Sequence, residues 1–160
     1  MGESGDFMFM GEYHHNLDEK GRVVIPSKFR GLLGTDFIIT KGIEKCLYVY
    51  SAEAWQEIVN KLKTLPFTKK DARAIMRSFF ASAALGVTDK QGRVMLSSPL
   101  ISYANLSLAC VVIGVNDHVE IWNLEDYTKM MNETEEHLED IAENMLEIGG
   151  SYETLHSFEE

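Results

Sequence analysis

The sequence has 160 residues, 45% of them apolar, and a formal net charge of −10. That length suits one domain or two interlaced small ones, and no apolar run approaches the ~18 residues a membrane helix needs. The charge argues against indiscriminate binding to nucleic acid, while two cysteines without a C-x-x-C pair, Cys46 and Cys110, point to buried, reduced thiols in a cytosolic setting.

Residues 1–7 are polar and aperiodic, without the basic-then-apolar pattern of a signal peptide, and read as a disordered extension. A short strand then leads from Phe9 to Leu17. Glu19-Lys20-Gly21 reads as a tight turn, since glycine tolerates the positive φ such turns need. Val23-Val24-Ile25 is a β-branched strand ended by Pro26, and Ser27 is the expected cap of a short basic helix, Lys28 to Leu33, stopped by Gly34. Phe37–Thr40 and Cys46–Tyr50 read as strands. Ser51 can cap a helix in which Trp55, Ile58, Val59 and Leu62 form one apolar face. After Leu65-Pro66, Thr68 and Asp71 have the spacing of a capping box. The helix they open carries Ile75, Met76, Phe79 and Phe80 on one side and Lys69, Lys70, Arg73 and Arg77 on the other, the latter read as a solvated face.

The second half repeats this plan. Asp18-Glu19-Lys20-Gly21-Arg22-Val23 returns as Asp89-Lys90-Gln91-Gly92-Arg93-Val94 at a shift of 71. Strands are expected at Val94–Leu96, Ala109–Val115 and Val119–Trp122, with Ser98-Pro99 as a short turn. Asn123 is the expected cap of one last helix, Leu124 to Leu146, ended by Gly149-Gly150. Each half, at about 70 residues, is marginal alone, so the two are expected to share a core. Charge is split unevenly. From Asp117 onward fourteen acids face one basic residue, Lys129, which leaves residues 1–116 with fourteen Lys/Arg against eleven Asp/Glu, a net of +3.

No catalytic constellation is found in the sequence. His14 and His15 are adjacent on a strand and point to opposite faces, Cys46 sits within an apolar strand, and no phosphate loop or G-x-S-x-G is present. The D-x-x-G-R turns are the informative feature. An arginine held by a nearby aspartate presents a planar donor fork suited to phosphate or to the O6/N7 edge of guanine. The same pair could equally serve only to pin a hairpin, and the residues alone leave both readings open. Lys20, Arg22, Lys28 and Arg30 crowd one stretch, enough to seed a positive patch.

The run Gly11 to Arg30 resembles the opening of MraZ proteins, as do Leu65 to Arg73, Asp89 to Arg93, Val111 to Val115, Glu120-Ile121-Trp122 and Ile141 to Met145. The resemblance covers about residues 8–147. It implies an α+β fold: two tandem AbrB-like swapped-hairpin modules forming one pseudo-two-fold β-barrel-like unit flanked by helices. The modules would span 8–84, with two helices, and 85–147, with the acidic C-terminal helix, leaving 148–160 as a flexible tail. It further implies a cytoplasmic, nucleoid-associated transcriptional regulator, a repressor of the division and cell wall gene cluster. Such a protein binds tandem short G-rich direct repeats in double-stranded DNA as a homo-oligomeric ring, an octamer or dodecamer, with no cofactor and no enzymatic activity. Carried onto this sequence, Arg22 is the DNA-contacting arginine, Asp18 its orienter, and Lys20 and Lys28 its phosphate neighbours, with Arg30 in the same patch. Arg93 and Asp89 hold the equivalent positions, ranked second because Met95-Leu96-Ser97-Ser98-Pro99 moves the proline later. A different class of function remains beside this one: a scaffold that restrains the neighbouring rRNA methyltransferase through the acidic tail.

Overall fold

A computed structural model of the chain describes residues 8–148. The expectations for residues 1–7, for Gly149-Gly150 and for most of the tail lie outside them. One compact unit extends to Leu124 and a second begins at Glu125.

In the first unit, β1 (Phe9–Asn16), β3 (Phe37–Lys41), β4 (Leu47–Tyr50), β5 (Ala84–Gly86), β7 (Ala109–Asn116) and β8 (His118–Asn123) form one sheet in the order β1-β7-β8-β4-β3-β5. Every pairing is antiparallel. Two short strands, β2 (Arg22–Val24) and β6 (Arg93–Met95), pair with each other as a separate ribbon, and Thr88 adds an isolated antiparallel bridge to Val94. The expected barrel-like closure is therefore not what the strands form: the sheet is open, with β1 and β5 as its edges. The α+β character holds.

The two halves are laced together. β1 from the first half pairs with β7 of the second along eight residues, Phe9↔Asn116 to Asn16↔Ala109. The core draws on both halves, with Val23, Ile25, Phe29, Leu47 and Val49 packed beside Val94, Leu96, Leu100, Val112 and Ile121. Sharing fits the arithmetic, since a half of about 70 residues would be marginal alone. Phe29 meets Phe9 and Tyr13 edge-on in this core, at ring-centroid distances of 5.7 and 5.2 Å.

Several helix boundaries differ from expectation. The short helix α1 runs Ser27–Leu33, with Pro26 rather than Ser27 at its cap position and no side-chain cap bond. Proline's fixed φ, here −51°, and its missing N–H suit a helix start without help from a hydroxyl. Ser51 does cap α2 (Ala52–Leu62), accepting from the Ala54 N–H at 3.1 Å. The Thr68–Asp71 box does not form: α3 (Lys70–Ser82) has Lys69 at its cap, with no side-chain bond, and Asp71 instead sits in the first turn, favoured by the helix dipole. On α3 Phe79 is buried but Ile75 and Phe80 are exposed, and Lys69, Lys70, Arg73 and Arg77 all face solvent as expected. Ser98-Pro99 opens a full helix, α4 (Ser98–Tyr103), capped by Ser97, because proline near the start of a helix loses no bond. The last helix is two, α5 (Leu124–Glu136) and α6 (Leu138–Ile148), separated at His137.

Candidate nucleic-acid interface

The interface begins with alternation. In β2 and β6 successive side chains point to opposite sides, and the central pair Val23↔Val94 is turned inward, with 0% and 1% of each residue exposed. Burying each valine stabilises the fold by about 1.5–3 kcal/mol, so a one-residue slip of the ribbon is strongly disfavoured. That inward anchor decides what faces outward: Arg22 and Val24 from β2, Arg93 and Met95 from β6. Their register is Arg22↔Met95 and Val24↔Arg93, which sets the two arginines on one diagonal of a four-residue face.

Each arginine enters the ribbon from a turn built by its aspartate. Gly21 N–H donates to the Asp18 carbonyl at 3.0 Å, and Asp18 N–H to the Arg22 carbonyl at 2.9 Å. Asp18 Oδ1 accepts from the backbone N–H groups of Lys20 (3.0 Å) and Arg22 (2.8 Å), while Oδ2 accepts from Arg22 Nε at 2.7 Å. Gly21 has φ of +78°, a conformation costly for any residue with a Cβ. The second turn repeats this bond for bond: Gln91 N–H and Arg93 N–H to Asp89 Oδ1, both at 2.9 Å, Arg93 Nε to Oδ2 at 2.8 Å, and Gly92 at φ of +78°. Across the ribbon the correspondence continues, with Ile25 N–H donating to the Gly92 carbonyl at 2.9 Å and Leu96 N–H to the Gly21 carbonyl at 2.8 Å.

The electrostatics follow from those bonds. The backbone N–H of Arg22, followed by its side chain and the Lys20 N–H, holds the Asp18 carboxyl below the usual carboxylate range, against the opposing effect of desolvation. Asp89 is held down in the same way by Arg93 and Gln91. Both aspartates are thus anionic at neutral pH and bind their arginines through Nε. The fork of terminal nitrogens on Arg22 is left for another acceptor, and Arg93 Nη1 lies 4.0 Å from Asp18 Oδ2. The arginine side chains are 23% and 28% exposed, positioned yet reachable.

The other sequence-predicted residues fall in different places. Lys20 is exposed on the first turn, and Lys28 is exposed in the first turn of α1. Arg30 lies elsewhere: it is half-buried, its Nη1 donates to the Ile25 carbonyl at 2.5 Å, and its guanidinium covers Gly92, where an added Cβ would collide with it. Its counterpart at the shift of 71 is Ile101, whose Cδ1 would be 3.1 Å from a Cβ at Gly21. Val24 and Met95 also lie on the outer face, beyond the residues that charge and motif single out. Reading Arg22-Val23-Val24 and Arg93-Val94-Met95 with period two around a buried valine is the signal that finds them. Cys46 and Cys110 are buried free thiols, and burial pushes both up in pKa, which suits inert side chains rather than nucleophiles.

Chemically, the ribbon offers a narrow antiparallel pair of strands, of a width that the DNA major groove admits, with two oriented donor forks on its outer side. A family model described as "MraZ protein, putative antitoxin-like" matches the chain twice, over residues 8–78 and 79–148. One copy of the Asp-Gly-Arg turn falls in each match. With the two matches covering the whole of the described residues, this chain belongs to the MraZ family, a family of regulator type.

Proposed function

We propose that this chain is a sequence-specific DNA-binding transcriptional regulator, a repressor of the division and cell wall gene cluster. It binds tandem short G-rich direct repeats upstream of its own gene as an oligomeric ring. The observation that supports this reading best is the outer face of the β2–β6 ribbon, where two arginines are each held by an aspartate through Nε. That arrangement fits an acceptor pair such as O6/N7 of guanine, and an inserted ribbon is one of the two protein elements the major groove accommodates. In this reading Arg22 makes the leading base contact with Asp18 as its orienter, and Arg93 with Asp89 makes the equivalent one. Lys20 and Lys28 meet phosphates, and Arg30 supports the second turn from behind.

Assembly explains how modest local charge can suffice. The first 116 residues have a net charge of only +3. Several linked patches raise effective concentration and can multiply affinity about 10²–10⁴-fold. A head-to-tail repeat of subunits also matches direct repeats, where a two-fold dimer would match a palindrome.

The test is binding of the purified full chain to DNA from upstream of its own gene, against a scrambled duplex, over a salt series. Specific binding with a steep salt slope is expected, and Arg22→Ala should lose it without changing the oligomeric state. Arg22→Ala binding the specific duplex as tightly as the natural protein would put the contact elsewhere.

A second reading draws on α6, where Leu138, Ile141 and Met145 form an exposed apolar stripe between Glu139, Asp140, Glu143 and Glu147. An acidic amphipathic helix of this kind suits a protein partner, and the neighbouring rRNA methyltransferase is the candidate. Removing residues 133–160 should then abolish its co-purification and spare DNA binding. An unchanged pull-down would retire this reading.

A further inference from the structure

We propose that Met95 is a specificity-determining residue that reads the C5-methyl group of a thymine beside the guanine-contacting arginines. The proposal deepens the DNA-binding reading and rests on it. On the outer face of the ribbon, Met95 stands directly opposite Arg22 and two residues along its own strand from Arg93. Directly opposed residues lie about 5 Å apart, and same-face neighbours along a strand about 7 Å. Bases step by about 3.4 Å along each strand of the duplex, so a side chain at this position falls within one or two base steps of either arginine.

Exposure separates Met95 from its counterpart. Val24 is half-buried, whereas Met95 is 62% exposed. Single exposed apolar residues are ordinary on protein surfaces. This one is unusual in its location, on a four-residue face whose other diagonal is two aspartate-held arginines. Folding gains little from it, because the inward anchor is Val94 and the outward site would accept threonine or another polar strand former.

The chemistry of the face then points to two kinds of base. Guanine presents two acceptors to an arginine fork, and thymine alone presents an apolar group in the major groove. Methionine, unbranched and polarizable, adapts to such a group without needing a rigid fit. Cytosine at the same place lacks that methyl and offers the thioether no apolar partner. The ribbon is thus expected to select guanine flanked by thymine over guanine flanked by cytosine.

Uracil tests this directly, since it differs from thymine only by the methyl. The upstream fragment would be prepared once with thymine and once with uracil, and titrated with the full chain. The natural protein should bind the uracil fragment more weakly by about fourfold for each repeat engaged, the value of one buried methyl per contact. Met95→Ala should bind the thymine fragment more weakly by a similar factor for each repeat engaged and lose nothing further on uracil, while Met95→Leu should keep the thymine preference. Met95 is exposed, so neither substitution threatens the fold. The proposal is overturned if the natural protein binds both fragments equally, or if Met95→Ala retains the preference. Failure of the DNA-binding reading itself gives a different result, with the natural protein binding neither fragment better than a scrambled duplex.

Discussion

Laid over one another at the shift of 71, the turns Asp18–Arg22 and Asp89–Arg93 agree in their hydrogen bonds and differ in their surroundings. The carboxylate, the positive-φ glycine and the Nε contact recur with distances matching to about 0.1 Å. Around them Lys20 is replaced by Gln91, Lys28 by Pro99 and Arg30 by Ile101, while Glu19 becomes Lys90. The difference teaches which part of the motif is architectural. Backbone geometry needs aspartate, glycine and arginine in both copies, because the ribbon is a joint product of the two turns. Charge around them has no such constraint: residues 18–22 have no net charge and residues 89–93 a net of +1, while Lys28 and Arg30 follow only the first turn. Arg30 is a flanking charge drawn into the architecture, by crossing to cover Gly92.

The sharpest way to break this comparison is to add one methyl to each turn. Gly21→Ala and Gly92→Ala both force an L-residue into the left-handed region, at about 1–2 kcal/mol. Gly92→Ala must also displace the Arg30 guanidinium and its bond to the Ile25 carbonyl, which adds about 1 kcal/mol. Urea unfolding should therefore show Gly92→Ala as the more costly by about that amount. In an Arg30→Ile background, which makes the first half like the second, the two glycine substitutions should cost the same. Equal costs in the natural background would mean that Arg30 moves aside freely and the asymmetry has no structural weight.

Flanking charge is tested by exchange. If Lys20 meets a phosphate, Lys20→Gln should make the slope of log affinity against log salt shallower by about 0.9, the value of one neutralised phosphate, leaving the preference for specific DNA intact. Gln91→Lys should steepen the slope by a similar amount. A slope unmoved by Lys20→Gln would remove that lysine from the interface.

Much of this is legible in the sequence. The repeat, the turn glycines, the Ser51 cap and the strands at Phe37, Leu47 and Ala109 follow from local chemistry and period. Other features are not local. β5, three residues long, shows no alternation to read, and it exists because it completes the edge beside β3. The break at His137 interrupts a run whose helical spacing continues through it, so periodicity gives no warning. The pairing of β2 with β6 joins residues about 70 apart in sequence, and no propensity states which strand will be a partner. Arg30 illustrates the same point within the site. Its position beside Lys28 suggests a basic patch, but the bare face of the distant Gly92 gives its guanidinium a place to pack.

The smallest expected effect concerns acid. Both turn aspartates titrate below the usual carboxylate range, first because backbone N–H groups bind the charged form. A carboxyl whose folded-state pKa is depressed contributes stability that is present above its unfolded value, near 3.8, and lost as pH falls through the folded-state value. Asp18→Asn and Asp89→Asn keep an amide oxygen for the backbone donors but remove the titration, so each should flatten the decline in stability below about pH 4. Urea midpoints measured from about pH 3 to pH 6 would show it. The turns predict equal flattening if each aspartate serves only its own arginine. Asp18, however, also has Arg93 Nη1 at 4.0 Å, reaching across from the other turn. Greater flattening with Asp18→Asn would make Asp18 the link between the two arginines, and equal flattening would leave that approach without energetic consequence.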